Sequence, residues 1–288
     1  MGLLEKKIVA STPHGNVFAE SHSPIQKNFL GKKPSLDRYR KWINNRPMLN
    51  IRKSENLDPK VFGPILEIKD VFPQHILTEF STANELEAPE ILQRASQRKT
   101  HTENTGEVEI MGQRYPQFNY GQQDHQATIL PTPIVSSYKL GDHIDVSLEL
   151  QHRYNEIFDL LCEDAPDDIV WDIKAPYLHY QKLQATEVGM DYPPHTDIFN
   201  KLLTCVVYLE PSVSVPTSFH GKHIDQREKL GVKGTHIASG FHWDEFADVG
   251  NVPWRPNCGY IFKASNYSYH SYKNDTNHLR WIYMANVE

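Results

Sequence analysis

Residues 192–197 read Tyr-Pro-Pro-His-Thr-Asp, and this stretch, combined with the distant histidine His270, decides the fold that we expect. A His-x-Asp pair at the end of a strand and one histidine far downstream form the ligand set of a mononuclear non-haem Fe(II) site. Two imidazoles and one carboxylate occupy one face of an octahedron and leave the remaining positions for a co-substrate and O2. The three side chains must therefore converge in the folded chain.

The His-x-Asp tripeptide alone is a weak signal. Because the chain has fifteen histidines, about one such tripeptide is expected by chance. The sequence contains four, which are His143-Ile144-Asp145, His195-Thr196-Asp197, His223-Ile224-Asp225 and His242-Trp243-Asp244. Only the surrounding pattern can select among them.

The surrounding pattern favours His195 and Asp197. Asp145 precedes a helical pattern and is more simply an N-cap candidate. The two later pairs lie in a stretch rich in glycine, histidine and charge, residues 220–251, which is predicted as a long loop. The remaining pair sits between two well-marked strands, and a Pro-Pro turn fixes the backbone just before it.

The periodicity of the chain changes from helical to strand-like near residue 170. A first strand is predicted over 65–72, and helices follow from residue 73 through 80, around 89–98 and over 147–163. Later strands are predicted at 177–183, 202–209, 259–262 and 279–284. Helices first and strands afterwards favour an α+β chain, with helices packed on a mainly antiparallel β core.

Domain organisation and partners follow from composition. Residues 1–60 are predicted as an N-terminal arm with a short helix over 35–44, and residues 61–288 as a single domain with its β core at about 170–288. The net charge of −6 disfavours nucleic acid and anionic membranes as partners. No apolar run in the sequence reaches the length of a membrane span. Three cysteines without paired spacing favour a reducing, cytoplasmic location. Assembly of several copies of the chain stays open.

Arg280 lies inside the last predicted strand, between apolar neighbours. An arginine in such a position is costly unless it has an anionic partner. Its guanidinium fork matches the geometry of a carboxylate. We therefore expect Arg280 to bind a carboxylate.

These features together resemble the Fe(II)/2-oxoglutarate-dependent oxygenases, and within them the prolyl-4-hydroxylase-like branch. The resemblance covers about residues 170–288, with residues 65–80 similar to the strand and helix that usually precede that core. The matching features are a strand with Tyr180, His195-x-Asp197, the strand 204–209, Pro256-x-x-Gly259-x-x-Phe262, His270, and Arg280 ten residues later.

The resemblance implies a double-stranded β-helix, which is a jelly-roll barrel of the cupin kind, with N-terminal helices packed on it. It implies His195, Asp197 and His270 as ligands of Fe(II), and Arg280 as the residue that binds the distal carboxylate of 2-oxoglutarate. Tyr180 and Thr204 match positions near this co-substrate in the branch. O2 is the second co-substrate.

Two departures from the family pattern concern the co-substrate pocket. The frequent Gly-Gly-x-Thr-x-Phe motif is present only as residues 215–219, Val-Pro-Thr-Ser-Phe. No serine or threonine stands two residues after Arg280, where Ile282 is found. The 2-oxoglutarate pocket is therefore expected to be completed by other residues.

The implied function is hydroxylation of an unactivated C–H bond, coupled to decarboxylation of 2-oxoglutarate to succinate and CO2. We expect a small-molecule substrate, with amino-acid-derived compounds as one candidate class, because no repeat, basic patch or recognition module is found. Hydroxylation of a peptidyl side chain is the alternative within the class. A cupin-like metal-binding protein without turnover is the alternative from another class. Desaturation and cyclisation on the same centre stay open.

The long loop carries two further expectations. Its histidines, His220, His223, His236 and His242, lack the tight ligand spacing typical of zinc sites, so we favour an ordinary loop over a zinc site. A loop of about thirty residues is long enough to be functional as a lid. Aromatic residues in and beside it, Phe241, Trp243 and Trp254, are candidates for the wall of a substrate entrance.

Overall fold

The computed structural model describes residues 48–102, 133–169, 171, 175–197, 201–221 and 246–288, with only the backbone described at 97–102 and 193. It also describes the backbone of four strands at 6–12, 15–20, 107–110 and 113–116. The predicted helix over 35–44 lies outside the described residues. So do the His-x-Asp pairs at 223–225 and 242–244, together with His236 and Phe241.

Strands dominate the described part of the chain. They are β1 (Lys6–Thr12), β2 (Gly15–Glu20), β3 (Asn50–Lys53), β4 (Ile65–Lys69), β5 (Glu107–Ile110), β6 (Gln113–Pro116), β7 (Ile134–Val135), β8 (His179–Thr186), β9 (Asp191–His195), β10 (Leu203–Glu210), β11 (Ser218–His220), β12 (Val249–Asn251), β13 (Gly259–Phe262), β14 (His270–Lys273) and β15 (Arg280–Val287).

Helices are fewer within the same residues. They are α1 (Pro59–Phe62), α2 (Gln74–Thr102), α3 (Val146–His152) and α4 (Tyr154–Cys162), with a 3-10 turn at Asp142–Ile144 before α3. None of the helices searched among the described residues is both long and apolar enough to cross a lipid bilayer.

Two antiparallel sheets form the centre of the described structure. The larger sheet has seven strands in the order β3-β4-β13-β10-β15-β8-β7, and the smaller has four in the order β12-β11-β14-β9. Two separate hairpins pair β1 with β2 and β5 with β6. The described part of the chain is therefore mainly antiparallel β, as the sequence predicted, and its helices are few.

Alternation along β10 divides the core into two layers. Cys205, Val207 and Leu209 belong to one buried cluster, and Val206 and Tyr208 belong to another. Successive side chains of a strand point to opposite faces of the sheet. The seven-stranded sheet is thus buried on both faces, which explains why the sequence of β10 is almost continuously apolar.

The first cluster joins the seven-stranded sheet to the helices. Helix α2 contributes Ile76, Phe80 and Ile91, while α3 and α4 contribute Leu150 and Ile157. The rings of Phe72 and Phe80 meet edge to face with centroids 5.0 Å apart, a favoured geometry for aromatic pairs.

The second cluster joins the two sheets. Phe219 of β11 in the smaller sheet packs edge to face on Tyr260 and Phe262 of β13, with ring centroids 5.0 and 6.0 Å away. Polar and charged residues interrupt this apolar layer beside Val206, Tyr260 and Phe262. The candidate site described below occupies that interruption.

The predicted elements agree with the structure best where the apolar pattern is strongest. The strand predicted over 259–262 is confirmed without change as β13, whereas the strand predicted first, over 65–72, is shorter and has β1, β2 and β3 before it. Strand β3 falls inside the predicted arm yet pairs with β4 at the sheet edge. Its sequence, Asn-Ile-Arg-Lys, has too few apolar residues to show a pattern.

The predicted helix boundaries were wrong in two places. The helical pieces expected at 73–80 and 89–98 are one helix, α2, which continues through Pro89 because Ala83 and Ile91 are both anchored in the core. The helix expected over 147–163 is divided at Arg153. There the guanidinium donates to the Leu49 carbonyl at 3.0 Å and to Glu149 Oε1 at 2.7 Å.

Gly259 is required by the close approach of β13 to β10. A Cβ at this position would lie 1.8 Å from the Val206 carbonyl oxygen, which is backbone and cannot swing away. We expect Gly259→Ala to lower the free energy of unfolding by about 3 kcal/mol through this overpacking, as measured by urea denaturation.

Gly189→Ala is the matched control, because Gly189 has a φ of 75° and nothing within 4 Å of the added Cβ. It should cost only the backbone strain, about 1 to 2 kcal/mol. Equal losses in the two variants would show that the contact with Val206 is not the cause.

Candidate active site

Two histidines face each other across neighbouring strands of the smaller sheet. His195 ends β9, His270 begins β14, and the antiparallel register pairs these two residues directly. Their ring centroids are 4.3 Å apart. The register therefore brings together two side chains that are 75 positions apart in the sequence.

Asp197 completes a group of three potential metal ligands. It follows His195 by two residues, and one ligand atom from each of Asp197, His195 and His270 lies within 4.8 Å of the others. All three residues are buried. This is the only such group among the described residues that were searched. It could hold a metal ion.

The carboxylate of Asp197 is fixed from two sides. Lys201 Nζ lies 2.7 Å from Oδ1, and the Thr204 hydroxyl donates to Oδ2 at 2.9 Å. Burial acts to raise the pKa of Asp197, but the positive charge of Lys201, together with the two histidines, outweighs it and the pKa is lowered. The carboxylate is therefore ionised, which is the form that ligates a cation.

A backbone contact sets the tautomer of His270. Its Nδ1 lies 2.9 Å from the Ser268 carbonyl oxygen, which can only accept a hydrogen bond. The proton therefore resides on Nδ1, and Nε2 carries the lone pair. Metal-ligating histidines are typically oriented by such a contact of the other ring nitrogen.

The three residues stand at the wall of a cavity of about 360 Å³. The rest of the wall has three kinds of residue. The basic residues are Lys182, Lys201 and Arg280, and the neutral polar residues are Gln184, Thr204 and Thr217. The apolar and aromatic residues are Pro133, Val135, Tyr192, Val206, Tyr260, Phe262, Tyr272, Ile282 and Met284.

Arg280 forms a closed end of this cavity. The residue is fully buried at 0% exposure. Its Nε donates to the Val215 carbonyl at 2.9 Å, and Nη2 donates to Thr217 Oγ1 at 3.0 Å. The third nitrogen, Nη1, is buried and has no hydrogen-bond partner within the described part of the chain. A buried donor without a partner is costly, so an anion in the cavity would stabilise it.

Aromatic rings enclose the Arg280 guanidinium. Its Cζ lies 4.9 Å from the ring centroid of Tyr272, 5.2 Å from that of Trp254 and 5.7 Å from that of Tyr208. Cation–π contacts of this kind stabilise a desolvated guanidinium. They also hold its fork in one orientation.

Thr217 is a site residue that the sequence reasoning missed. Its Oγ1 accepts hydrogen bonds from Arg280 Nη2 at 3.0 Å and from the Tyr260 hydroxyl at 2.7 Å. With both lone pairs used, its own proton is available to a ligand in the cavity. In the sequence, the threonine of segment 215–219 is the only signal for this role, and the short apolar context around it does not position the side chain.

The two weaker predictions for the co-substrate pocket have different outcomes. Thr204 lies in the cavity wall, and its hydroxyl contacts Asp197 Oδ2 and, at 3.1 Å, Asn286 Oδ1. Tyr180 is half-buried on β8 and is not among the described residues that line the cavity. Burial, with the charges of Glu288 and Asp197, raises the pKa of its hydroxyl.

The remaining described His-x-Asp pair is structural. The side chain of Asp145 accepts a hydrogen bond from the Leu148 amide at 3.2 Å and caps helix α3, so the N-cap prediction is confirmed. His143 is exposed and lies 3.2 Å from Glu79. Neither side chain reaches the cavity wall described above.

Lys182, Gln184 and Lys201 were also missed. On β8, the polar residues Lys182 and Gln184 alternate with the buried Leu183 and Ala185. This alternation was visible in the sequence, but it indicates equally a solvent face or a cavity face. Only the pairing of β8 with β15 places Lys182 and Gln184 over the cavity, whereas Lys201 reaches it just before β10 through its ion pair with Asp197.

Trp254 and His220 are both packed within the described structure. Trp254 stacks on Tyr208 with centroids 4.4 Å apart and donates its indole N–H to the Pro211 carbonyl. His220 is fully buried, and its Nε2 lies 2.7 Å from Ser271 Oγ. The other histidines of the loop lie outside the described residues.

The chain matches none of the protein-family models and none of the curated proteins. Three similar solved structures have low identity and low TM-scores. AviO1 from Streptomyces viridochromogenes Tue57 is 14% identical with a TM-score of 0.38, over 80% of this chain and 92% of AviO1. SnoK, a non-heme alpha ketoglutarate dependent carbocyclase from nogalamycin biosynthesis, is 14% identical with a TM-score of 0.40, over 79% of each chain.

The third structure is the viral collagen prolyl hydroxylase vCPH from Paramecium Bursaria Chlorella virus-1, determined as a 2OG complex. It is 12% identical with a TM-score of 0.31, over 54% of this chain and 79% of vCPH.

His220 makes the free energy of unfolding depend on pH. Burial, with a smaller effect from His270, lowers the pKa of His220 from 6.5 to about 4. Between these values the unfolded chain binds the proton and the folded chain does not, so stability falls as the pH falls. We expect this group to remove about 2 kcal/mol of stability between pH 7 and pH 5.

Urea denaturation of wild type and His220→Gln at both pH values tests this. The glutamine can keep a hydrogen bond to Ser271 but does not titrate, so its loss of stability on acidification should be smaller. The exposed His143→Gln serves as the control and should follow the wild type. If His220→Gln also followed the wild type, His220 would not be held neutral by the fold.

Proposed function

We propose that this chain is an Fe(II)/2-oxoglutarate-dependent oxygenase that hydroxylates an unactivated C–H bond of a small molecule. The observation that carries the proposal is one cavity with two complementary features. Its wall holds three buried metal-ligand side chains, and its closed end holds a buried arginine with an unsatisfied donor. A metal-chelating dicarboxylate needs both.

The proposed fold is a double-stranded β-helix of the jelly-roll, cupin-like kind. The two facing antiparallel sheets, with Phe219 packed against β13, support this arrangement. The helices α2, α3 and α4 would cover the outer face of the larger sheet, where their side chains share its buried cluster. We further propose that the single domain predicted over 61–288 also includes β3, because this strand is the edge of its larger sheet.

The three donors fit Fe(II). Two imidazole nitrogens and one carboxylate oxygen are the ligands of the facial triad. His270 is oriented through Nδ1, and Asp197 is ionised and held by Thr204. We therefore assign the metal to His195, Asp197 and His270.

Arg280 and Thr217 fit the distal carboxylate of 2-oxoglutarate. Nη1 of Arg280 and the hydroxyl proton of Thr217 are two donors at the closed end of the cavity. This pair replaces the serine or threonine that the family pattern places after the arginine. Thr204 is better assigned to holding Asp197 than to binding the co-substrate.

When bound, iron with 2-oxoglutarate and O2 supplies the oxidising power for C–H hydroxylation, and succinate and CO2 are released. The residues of the chain bind, orient and exclude water. Arg280 holds the co-substrate in one register, because its fork is fixed by Val215, Thr217 and the surrounding rings. Tyr272 and Trp254 keep bulk water from that end, which strengthens the ion pair.

The metal assignment predicts the effect of removing a ligand. We expect purified protein to bind one equivalent of Fe(II) and to release succinate only when Fe(II), O2 and 2-oxoglutarate are all present. His195→Ala and His270→Ala should each lower metal affinity by at least about tenfold and abolish succinate release. Equilibrium dialysis and chromatographic detection of succinate measure the two effects.

His143→Ala is the matched control, because it removes the histidine of a His-x-Asp pair outside the cavity. It should leave both readouts unchanged. Succinate release that persisted in His195→Ala would falsify the site. A wild-type protein that binds the metal but forms no succinate would instead be the cupin-like metal-binding protein.

The co-substrate assignment predicts a separate effect for Arg280. Replacing it with methionine removes the ion pair but preserves much of the apolar stem. We expect Arg280→Met to raise the 2-oxoglutarate concentration for half-maximal succinate release by about 100-fold, while Fe(II) binding remains near wild type.

Arg280→Lys should recover part of this affinity, because it keeps the charge but not the fork. Circular dichroism and the retained Fe(II) binding would show that the variants are folded. An unchanged 2-oxoglutarate requirement in folded Arg280→Met would move the role to another residue.

A further inference from the structure

A second basic residue faces the cavity away from Arg280. The register places Lys182 of β8 opposite Met284 of β15, and Met284 opposite Val206 of β10. Lys182 is thus two strands from β10, which is about 10 Å across the sheet. It lies on the side where β7 and its Val135 line the cavity.

The Arg280 side chain lies at the opposite end of the cavity from Lys182. Its guanidinium contacts Tyr208 of β10 and Tyr272 of β14. Arg280 and Lys182 are also four residues apart in their paired strands, since Arg280 pairs with Thr186. That separation is about 13 Å along the sheet. A single small carboxylate therefore does not bridge the two cations.

The Lys182 side has greater access to solvent than the Arg280 end. Val135 is 43% exposed and Lys182 is half-buried, whereas Arg280 is 0% exposed. Once a ligand occupies the buried end beside Arg280, a second molecule that enters the cavity would therefore contact Lys182. Gln184 lies beside Lys182 on the same face of β8 and adds an amide that can donate or accept.

The cavity has an excess of positive charge on the Lys182 side. Lys201 has Asp197 as a partner at 2.7 Å. The side chain of Lys182 forms no hydrogen bond or ion pair within the described residues. With Fe(II) on the triad and the dianion 2-oxoglutarate bound, three basic residues and the metal face one aspartate and that dianion. The balance leaves two positive charges.

We propose that Lys182, assisted by Gln184, binds a carboxylate or similar anionic group carried by the small molecule that is oxidised. The proposal rests on the function proposed above. The substrate is therefore an acid, held by its anion near β7 while its reacting carbon faces the triad. Lys182 is a substrate-binding residue in this arrangement and sets specificity by charge.

The environment of Lys182 supports this assignment. Burial, with a smaller effect from the positive charge of Lys201, lowers the pKa of Lys182 to about 8, and Asp197 opposes the change. An anion bound between the two lysines would relieve both the desolvation and the repulsion. At neutral pH the side chain is still mostly protonated, which is the form that binds an anion.

Benzoate and benzamide are probes of equal shape that differ in charge. Wild-type protein is first loaded with Mn(II) and saturating 2-oxoglutarate, so that the triad and Arg280 are occupied, and each probe is then titrated by calorimetry. We expect benzoate to bind at least tenfold more tightly than benzamide. Lys182→Met should remove this preference, and Lys182→Arg should retain most of it.

Lys139→Met, which removes an exposed lysine outside the cavity, is the control and should keep the preference. Equal binding of the two probes to wild type, or no binding of either, would overturn the proposal. So would a Lys182→Met variant that loses 2-oxoglutarate affinity instead, because the lysine would then serve the co-substrate. Failure to bind Mn(II) and 2-oxoglutarate at all would reject the proposed function itself.

The natural substrate gives an independent test. A cell extract freed of macromolecules is separated on an anion exchanger, and the retained and unretained fractions are incubated with the iron-loaded enzyme. Mass spectrometry should find a product that has gained one oxygen and requires 2-oxoglutarate in the retained fraction. Such a product in the unretained fraction alone would overturn the anionic substrate. Oxidation confined to the removed proteins would also overturn it and would favour a peptidyl substrate.

Discussion

The pairing of β9 with β14 is the constraint on which the candidate site depends. It sets His195 directly opposite His270, and the two residues of chain after His195 bring Asp197 to the same place. A shift of one residue in this register would turn one imidazole to the other face of the sheet. The hydrogen-bonded backbone, rather than any contact between the side chains, therefore determines the geometry of the three donors.

The polar site is costly for the fold and needs the surrounding core. An ionised aspartate, an arginine and two lysines surround one cavity between the two sheets, and burial of charge opposes folding. Asp197 is compensated by Lys201 and Thr204, while Arg280 is compensated only in part, at Val215 and Thr217. The remaining cost is what ligand binding can relieve, so the same groups oppose folding and favour binding.

The sequence points to residues whose type is unusual for their place in the chain. It does not point to residues whose position becomes clear only when distant strands pair. A buried arginine among apolar neighbours and a His-x-Asp pair between strands stand out along the chain. Asp145 could be assigned to a helix cap because capping is local. Lys182 could not be placed, since the two faces of β8 are distinguished only by its register with β15. Thr217 lies just before the short strand β11, which has too little pattern to position it.

The two cations of the cavity suggest an order of binding under the proposed function. Arg280 is enclosed by rings at the buried end, and Lys182 lies toward the more exposed side. A co-substrate held by Arg280 must enter before a larger molecule fills the accessible side, because the cavity of about 360 Å³ offers little room to pass. Binding of 2-oxoglutarate at Arg280 first also reduces the net positive charge of the cavity before the anionic substrate binds. Charge complementarity at two separated points thus distinguishes two acids of similar size, which one cation could not do.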